Sequence, residues 1–406
     1  LRYLDEAEDV ARRNSFSRLL FDIESERGTV YIFKADIENA RRHCNEALKL
    51  AEESKITLDI MRAHLLMANF FSQFHLIDEL SWAKSAEHLS KAENFFENGR
   101  YQQDLMILLS IRRRDLTAQG KPNEALKIAR RLEKEATRAE DNLTLARAKK
   151  DIGTNLALLD QLPEAMKVLY ESYSVYNSLN KPLEAGYSLL AYGDAALQMG
   201  DFEKARSTLE IAKGIAQEAT KWLPPRVDLF EARILTAEQE FEDMIVLARR
   251  MIAEDKSTQM PSTFEARAML ALALTHTGRK SEGLREIQSL FSNKLPGRDD
   301  PEAAVALYLL YSEVLLENGK TEKAEKQAVL ALDILKTLNK PSMEWKAYVL
   351  QSRAQDQLGN AGESKRLAAK ADMLFSGLSE KWGKKTFENY SSSQTTQHFR
   401  NAPRGW

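Results

Sequence analysis

The sequence predicts an all-α fold, a right-handed α-α superhelix (solenoid) of about nine helix-turn-helix repeats. Three observations predict it. First, a turn-plus-helix signature recurs: Gly-Lys-Pro-Asn-Glu-Ala at 120–125, Asp-Gln-Leu-Pro-Glu-Ala at 160–165, Gly-Asp-Phe-Glu-Lys-Ala at 200–205 and Gly-Lys-Thr-Glu-Lys-Ala at 319–324. Degenerate copies end at Met244, Gly283 and Ser364, so the seven copies end at 125, 165, 205, 244, 283, 324 and 364, in steps of 40, 40, 39, 39, 41 and 40. A fixed period of that size marks stacked units, each packing only on its neighbours. Second, apolar residues between the signatures fall at three- and four-residue spacings, the period of a helix face. Third, no segment sustains the two-residue alternation of a half-buried strand.

The elements follow in order. Residues 4–13 read as the second helix of a repeat whose first helix is missing, so 1–13 stands as a truncated repeat before an array over 14–378. In the first full repeat Ala40, Cys44 and Ala47 form the second-helix stripe after Lys34-Ala35-Asp36, and in the next Ser85, Leu89 and Ala92 form it. The step from 40 to 85 is 45, yet Gly28 and Ala68 on the preceding helices are 40 apart. An insertion of about five residues is therefore expected between the two helices of that repeat, near His75 to Trp82. Around Gly200, Leu189, Leu190, Gly193, Ala196 and Leu197 line one face; Gly200 stops the helix and Asp201 caps the next. Ala205, Leu209 and Ala212 continue the stripe until Trp222-Leu223-Pro224-Pro225, where proline forbids continuation. The loops Ser178-Leu-Asn-Lys-Pro182 and Thr337-Leu-Asn-Lys-Pro341 are nearly the same and lie 341 − 182 = 159 residues apart, four periods; Met260-Pro261 and Leu295-Pro296 punctuate equivalent places. Beyond 378 the pattern dissolves. Residues 379–406 are expected to form a capping helix, with Trp382, Phe387 and Tyr390 over the last apolar face, and a polar tail from 391 that is poorly ordered unless bound.

Charge and composition narrow the function. With 58 basic against 60 acidic residues the net charge is −2, which argues against a nucleic-acid partner. The single cysteine, Cys44, allows no internal disulfide and suits a reducing, cytoplasmic setting. The longest apolar stretches, such as 303–311, are far short of a membrane span. The first residue is Leu and no charged-then-apolar leader follows, so the chain reads as a piece of something larger, without a secretion signal.

At the repeats themselves the chain resembles the tetratricopeptide repeat (TPR) family, whose pattern sets bulky, small and aromatic residues on the first helix and a small-large-small set on the second. The residues that carry the resemblance are Ile152-Gly153, Leu156, Ala165, Leu169 and Ser172; Tyr192-Gly193, Ala196, Ala205, Leu209 and Ala212; and Gly28, Tyr31, Ala40 and Ala47. Small side chains let paired helices approach and bulky ones fill the gap. The chain departs from the family in its period, about 40 against the usual 34, and in lacking the proline that usually ends the second helix in most copies. Long-period variants of this kind are similar to the TPR-like arrays of bacterial signalling ATPases, quorum-sensing regulators and some eukaryotic adaptors, and 381–390 is similar to the ends of such arrays in kinase- or ATPase-linked regulators. The resemblance covers 14–378 and implies the fold rather than the ligand.

Residues that carry chemistry are sparse. His43, His64, His75, His88, His276 and His398 make no short metal-ligand pattern, so they read as surface or packing groups, and no metal or cofactor is expected. Cys44, between Ala40 and Ala47, reads as a small buried hydrophobe. There is no glycine-rich phosphate loop and no Gly-x-Ser-x-Gly elbow, so the chain is not expected to be an enzyme. Arg12-Arg13, Arg41-Arg42, Arg112-Arg113-Arg114, Arg130-Arg131 and Arg249-Arg250 lie beside acidic residues and read as solvated helix faces.

A ligand of such an array would meet its first helices. The residues just after each repeat's small position are Thr29, Asn69, Arg114, Thr154, Asp194, Arg233, Leu272, Glu313 and Arg353; Ser110, Lys150, Leu190 and Leu229 lie one turn earlier. The candidate groove comprises Asn69, Arg114, Arg147, Lys150, Thr154, Asp194, Arg226 and Arg233. Arg114, Arg147, Lys150, Arg226 and Arg233 would give it a basic middle suited to an acidic peptide. The plainer reading is that concave positions are wet and therefore polar. The expected function is a non-catalytic protein-protein interaction scaffold or regulatory module that binds a peptide or protein along its concave groove, within a larger signalling or regulatory protein. The alternative is a ligand-sensing array whose curvature changes on binding a small molecule or signal peptide.

Overall fold

The structure, a computed structural model, describes residues 1–74, 81–218, 223–255, 261–292 and 301–401. Among these every element is a helix. A single helix α1 (Arg2–Arg13) precedes nine pairs, in which the even-numbered member is the first helix. They are α2 (Ser17–Phe33) with α3 (Ile37–Ser54), α4 (Thr57–Gln73) with α5 (Ser81–Asn98), α6 (Gln102–Ala118) with α7 (Pro122–Arg138), and α8 (Asn142–Leu158) with α9 (Leu162–Ser178). Then come α10 (Pro182–Gln198) with α11 (Phe202–Glu218), α12 (Pro224–Ala237) with α13 (Phe241–Glu254), and α14 (Pro261–His276) with α15 (Lys280–Ser292). The last pairs are α16 (Pro301–Glu317) with α17 (Thr321–Leu338) and α18 (Pro341–Gln357) with α19 (Ala361–Trp382), followed by α20 (Lys384–Ser392) and α21 (Gln394–Asn401).

The recurring signature is a backbone closure. At Gly200 (φ 71°) the chain turns left-handed, the Asp201 N–H donates to the Ala196 carbonyl at 3.0 Å and the Gly200 N–H to Leu197 at 3.0 Å. This Schellman arrangement satisfies carbonyls that a helix end leaves unpaired. The same pair of bonds closes α16 at Gly319 and Lys320 and α18 at Gly359 and Asn360. Where glycine is missing the closure persists: Ala35, Asp160 and Gln239 hold positive φ of 55°, 60° and 60°. Where the downstream residue is aspartate it caps the next helix: Asp36 accepts the Asn39 N–H at 3.2 Å and Asp201 the Lys204 N–H at 3.1 Å. Pro182 and Pro341 open their helices at the first position, where no N–H is needed.

Close approach explains the small positions. A Cβ added at Gly193 would lie 2.4 Å from the Phe230 ring and 2.8 Å from Thr208. Ala40, Ala47, Ala165, Ala205 and Ala212 are wholly buried, so a larger residue there would cost about 1–3 kcal/mol of overpacking. Cys44 belongs to the same stripe; burial pushes its thiol up to about 12, the behaviour of an inert packing group.

The chain divides into two compact units. Unit 1 holds residues 1–119 and 127–144, and unit 2 holds 120–126 and 145–406. Unit 1 is built on Phe21, Ile32, Leu66, Met67 and Phe70, and Arg27 ties α1 to α2 through Asp5 at 2.6 Å and Glu8 at 2.5 Å. Unit 2 returns on itself. Asp160, in the turn after α8, accepts the Ser342 N–H at 2.7 Å and its hydroxyl at 2.5 Å, and its carbonyl accepts the Trp382 indole N–H at 2.8 Å. One apolar cluster accordingly joins Leu162, Met166 and Met199 to Val305, Trp345 and Tyr390.

The C-terminal segment departs from the sequence reading. α19 runs past 378 to Trp382, and 394–401 is a helix rather than an unstructured tail. Phe399 anchors that helix as a nearly buried side chain, and Ser393 caps it, its Oγ accepting the Thr396 N–H at 3.4 Å. The expected insertion falls at 75–80, outside the described residues, with Trp82 already in α5; Trp222, Met260, Leu295 and Pro296 also lie outside them.

Candidate functional site

Two neighbouring pairs among the residues after the small positions bond from one repeat to the next, one pair in each unit. In unit 1, Arg114 on α6 donates to Asn69 Oδ1 at 2.7 Å and to Ser72 Oγ at 2.8 Å, both on α4. Beside them Asp115 accepts from the Ser72 hydroxyl and from the Ser85 hydroxyl at 2.6 Å. In unit 2, Arg233 on α12 reaches Asp194 on α10 at 2.8 Å and grips both oxygens of Glu265 on α14 at 2.7 Å. Burial opposes the charge on Arg233, but the two carboxylates hold its pKa well above the ordinary value. Asp194 is pushed up by burial and pulled back by Arg233.

The other candidates are engaged too. Arg226 lies over the Tyr187 ring at 5.1 Å, Arg147 lies beside the Tyr176 hydroxyl and counters the upward push of burial on it, and Thr154 Oγ1 donates to the Lys150 carbonyl at 3.0 Å. Lys150 itself has an interaction within the chain. Asn69 and Arg114 lie in unit 1, and Arg147, Lys150, Thr154, Asp194, Arg226 and Arg233 in unit 2. Of the five basic residues of the candidate middle, Arg233 meets two carboxylates, which offset its charge.

Unit 2's first helices carry something the sequence did not reveal. α21 lies across four of them. Its Thr395 hydroxyl donates to the Ala237 carbonyl at the end of α12, and its backbone carbonyl at Gln394 accepts from Gln239 at 3.5 Å. His398 approaches His276 of α14, with ring centroids 5.3 Å apart, and bonds Glu313 of α16 at 2.8 Å. Phe399 packs on Trp345 of α18 at 5.9 Å, and Lys346 sits over the Phe399 ring at 5.6 Å. Arg400 lies over Phe375 of α19 at 4.9 Å. α20 contributes Tyr390, whose hydroxyl accepts the Trp345 indole N–H at 3.0 Å.

Glu313 is the polar centre of this wall. Burial acts to raise its pKa, but hydrogen bonds from His276 and His398 outweigh burial and bring it down to about 2. His398 is shifted up, chiefly by its bond to Glu313. Glu313 stood among the wall positions read from the sequence, and His276 follows Leu272 by four residues, one turn along the same face. Nothing in the spacing pointed to His398. Lys346, between Glu313 and Phe399, is lowered by burial to about 8.

No family model matches the chain, and no curated protein matches it in sequence. Solved structures match in fold. A Rap protein complexed with Competence and Sporulation Factor aligns with TM-score 0.66 at 10% identity, over 89% of this chain and 99% of that one. The apo quorum sensor NprR from B. thuringiensis aligns at 0.58 and 14% identity, over 86% and 97%. Aspartyl phosphate phosphatase F from Bacillus subtilis aligns at 0.55 and 14%, over 87% and 93%. The chain has the TPR-like helical-repeat fold, in consecutive helix pairs. One of the three is named a phosphatase, so the fold alone does not separate binders from enzymes.

Proposed function

We propose that the chain is a non-catalytic, cytoplasmic regulatory module that binds a peptide or protein segment along the first-helix wall of unit 2. One observation carries the reading: that wall already holds a short peptide segment, α21, through an aromatic anchor, a hydroxyl on a helix-end carbonyl and an imidazole on a buried carboxylate. These are the elements of peptide recognition, a pocketed side chain plus a few placed polar bonds. Neighbours of the same fold support it, one of them described as complexed with a factor and another as a quorum sensor. The occupant carries His398 and Arg400 and faces Glu313, so a basic-aromatic segment suits the wall better than an acidic one. Among the described residues no helix is long and apolar enough to cross a membrane.

The sensing alternative has its own support. Trp382 and Tyr390 bond the turn at Asp160 and the start of α18, the two places where unit 2 closes on itself. A ligand that displaced this segment would loosen the closure, and a ligand shifts a conformation only by such a difference in contacts.

The test uses a fluorescent peptide of residues 393–406 and a chain ending at residue 392. The shortened chain should bind the peptide saturably and the full chain far more weakly, because its own segment competes at high effective concentration. A shortened chain that keeps its helical circular dichroism and does not bind the peptide would sink the proposal.

A further inference from the structure

We infer that His276, Glu313 and His398 form a binding site for a divalent transition metal, zinc in particular, that pins the C-terminal helix α21 to the wall of unit 2. One ligand atom from each residue lies within 4.8 Å of the others. His276 Nε2 and His398 Nε2 both face the same oxygen, Glu313 Oε1, at 3.3 and 2.8 Å. Zinc bonds of about 2.0–2.1 Å at tetrahedral angles set ligand atoms about 3.3 Å apart. The His276–Glu313 distance already has this value; His398 would have to move away from Glu313 by about half an ångström and swing toward His276, since the three ligand atoms now spread over up to 4.8 Å. Two imidazoles and a carboxylate are a donor set zinc favours, and three protein ligands leave a fourth position for water.

The surroundings suit a metal with restraint. His276 stacks on Phe241 with ring centroids 4.8 Å apart and planes 7° apart, which fixes the imidazole, while the side chain of His398 stays 30% exposed and gives access. Opposing charges are close: Arg353, which pairs with Glu317 at 2.8 Å, and Lys346. They weaken a cation's attraction to the site without occupying the ligand atoms. The three residues come from α14, α16 and α21, so a bound metal would cross-link the terminal helix to two neighbouring repeats. Removing the metal would free the helix rather than unfold the array.

The test uses the full chain, stripped with chelator. Titration with Zn²⁺ by calorimetry should show one strong site, and Co²⁺ should give the visible absorption of a low-coordinate cobalt centre. His276→Gln and His398→Gln should each weaken binding about 10–100-fold. His398 is partly exposed on the terminal helix, so its variant tests the site even where a change at buried Glu313 disturbs folding. With zinc, cleavage by trypsin at Arg400 should slow. The inference fails when no stoichiometric binding is seen, or when both variants bind as well as the parent. It fails equally when the signal is lost instead on replacing His64 and His88, whose Nδ1 atoms lie 3.1 Å apart in unit 1. These readouts need no added peptide, so they stand or fall apart from the peptide-binding proposal.

Discussion

In unit 1 the first-helix wall is closed by its own side chains: Arg114 bonds Asn69 and Ser72, and Asp115 takes the Ser72 and Ser85 hydroxyls. In unit 2 the wall begins in the same way, with Arg233 between Asp194 and Glu265, but four repeats are then crossed by α21. Equivalent positions in one repeat pattern therefore do two jobs. A polar residue facing the next repeat is a rung when its neighbour complements it and a docking group when its partner comes from elsewhere. Charge counted along a sequence does not distinguish the two, because a cation with a neighbouring carboxylate presents little field to a ligand.

The largest test of this contrast is Trp345→Ala. Trp345 is wholly buried, packs against Phe375, Tyr390 and Phe399, and donates to Tyr390. Its loss should lower the stability of unit 2 by about 3–5 kcal/mol and expose α21 to protease. Calorimetry should show the change in the transition of unit 2 and leave that of unit 1 in place. A terminal helix that stays protected in this variant would mean that Trp345 does not seat it.

Arg233→Glu should come next. It sets a third carboxylate against Asp194 and Glu265, and even for a side chain one-third exposed the cost should be about 2–3 kcal/mol. Arg114→Gln, which keeps a donor toward Asn69, should cost about 1 kcal/mol. Denaturant unfolding of both variants gives the comparison. If Arg233→Glu instead left stability intact and abolished partner capture, the basic-groove reading of the sequence would be supported.

The smallest effect is acid sensitivity confined to unit 1. Burial, with a further push from His64, lowers His88 from the ordinary histidine value to about 4, and His64 is lowered mainly by burial as well. A base with a depressed folded pKa binds protons better when unfolded. Stability is therefore fully present above about pH 6.5 and is lost as the pH falls toward 4. His88→Phe, stacked in place on Phe71, should reduce that slope to the share left by His64 in a melting series between these pH values. A slope unchanged in the variant would move the sensitivity to another group.

The repeat boundaries were legible because their causes are local. The bond from the Asp201 N–H to the Ala196 carbonyl spans five residues, and the stripe Ala205, Leu209, Ala212 follows one helix's own period. Even the departures had a local sign, since Asp160 and Gln239 stand where the other copies carry glycine and keep the same left-handed turn. The candidate wall was legible as a register but not as a set of partners. Arg233 and Arg114 were read as groove residues without their bonding partners because Glu265 and Asn69 lie 265 − 233 = 32 and 114 − 69 = 45 residues away.

The polar run after residue 390 was read as a tail because its composition is that of one, and composition says nothing about what a segment can rest on. Phe399 finds Trp345, and His398 finds Glu313, only because unit 2 returns on itself at Asp160 and Ser342. The sequence by itself determined the helices, their ends and their pairing, since those depend on hydrogen bonds and side-chain spacings within a few turns. The tertiary structure alone decided that unit 2 closes, that α21 covers its wall, and that His276 meets His398 across 398 − 276 = 122 residues. That outcome is the sum of many small rotations between successive repeats, and no single repeat encodes the sum.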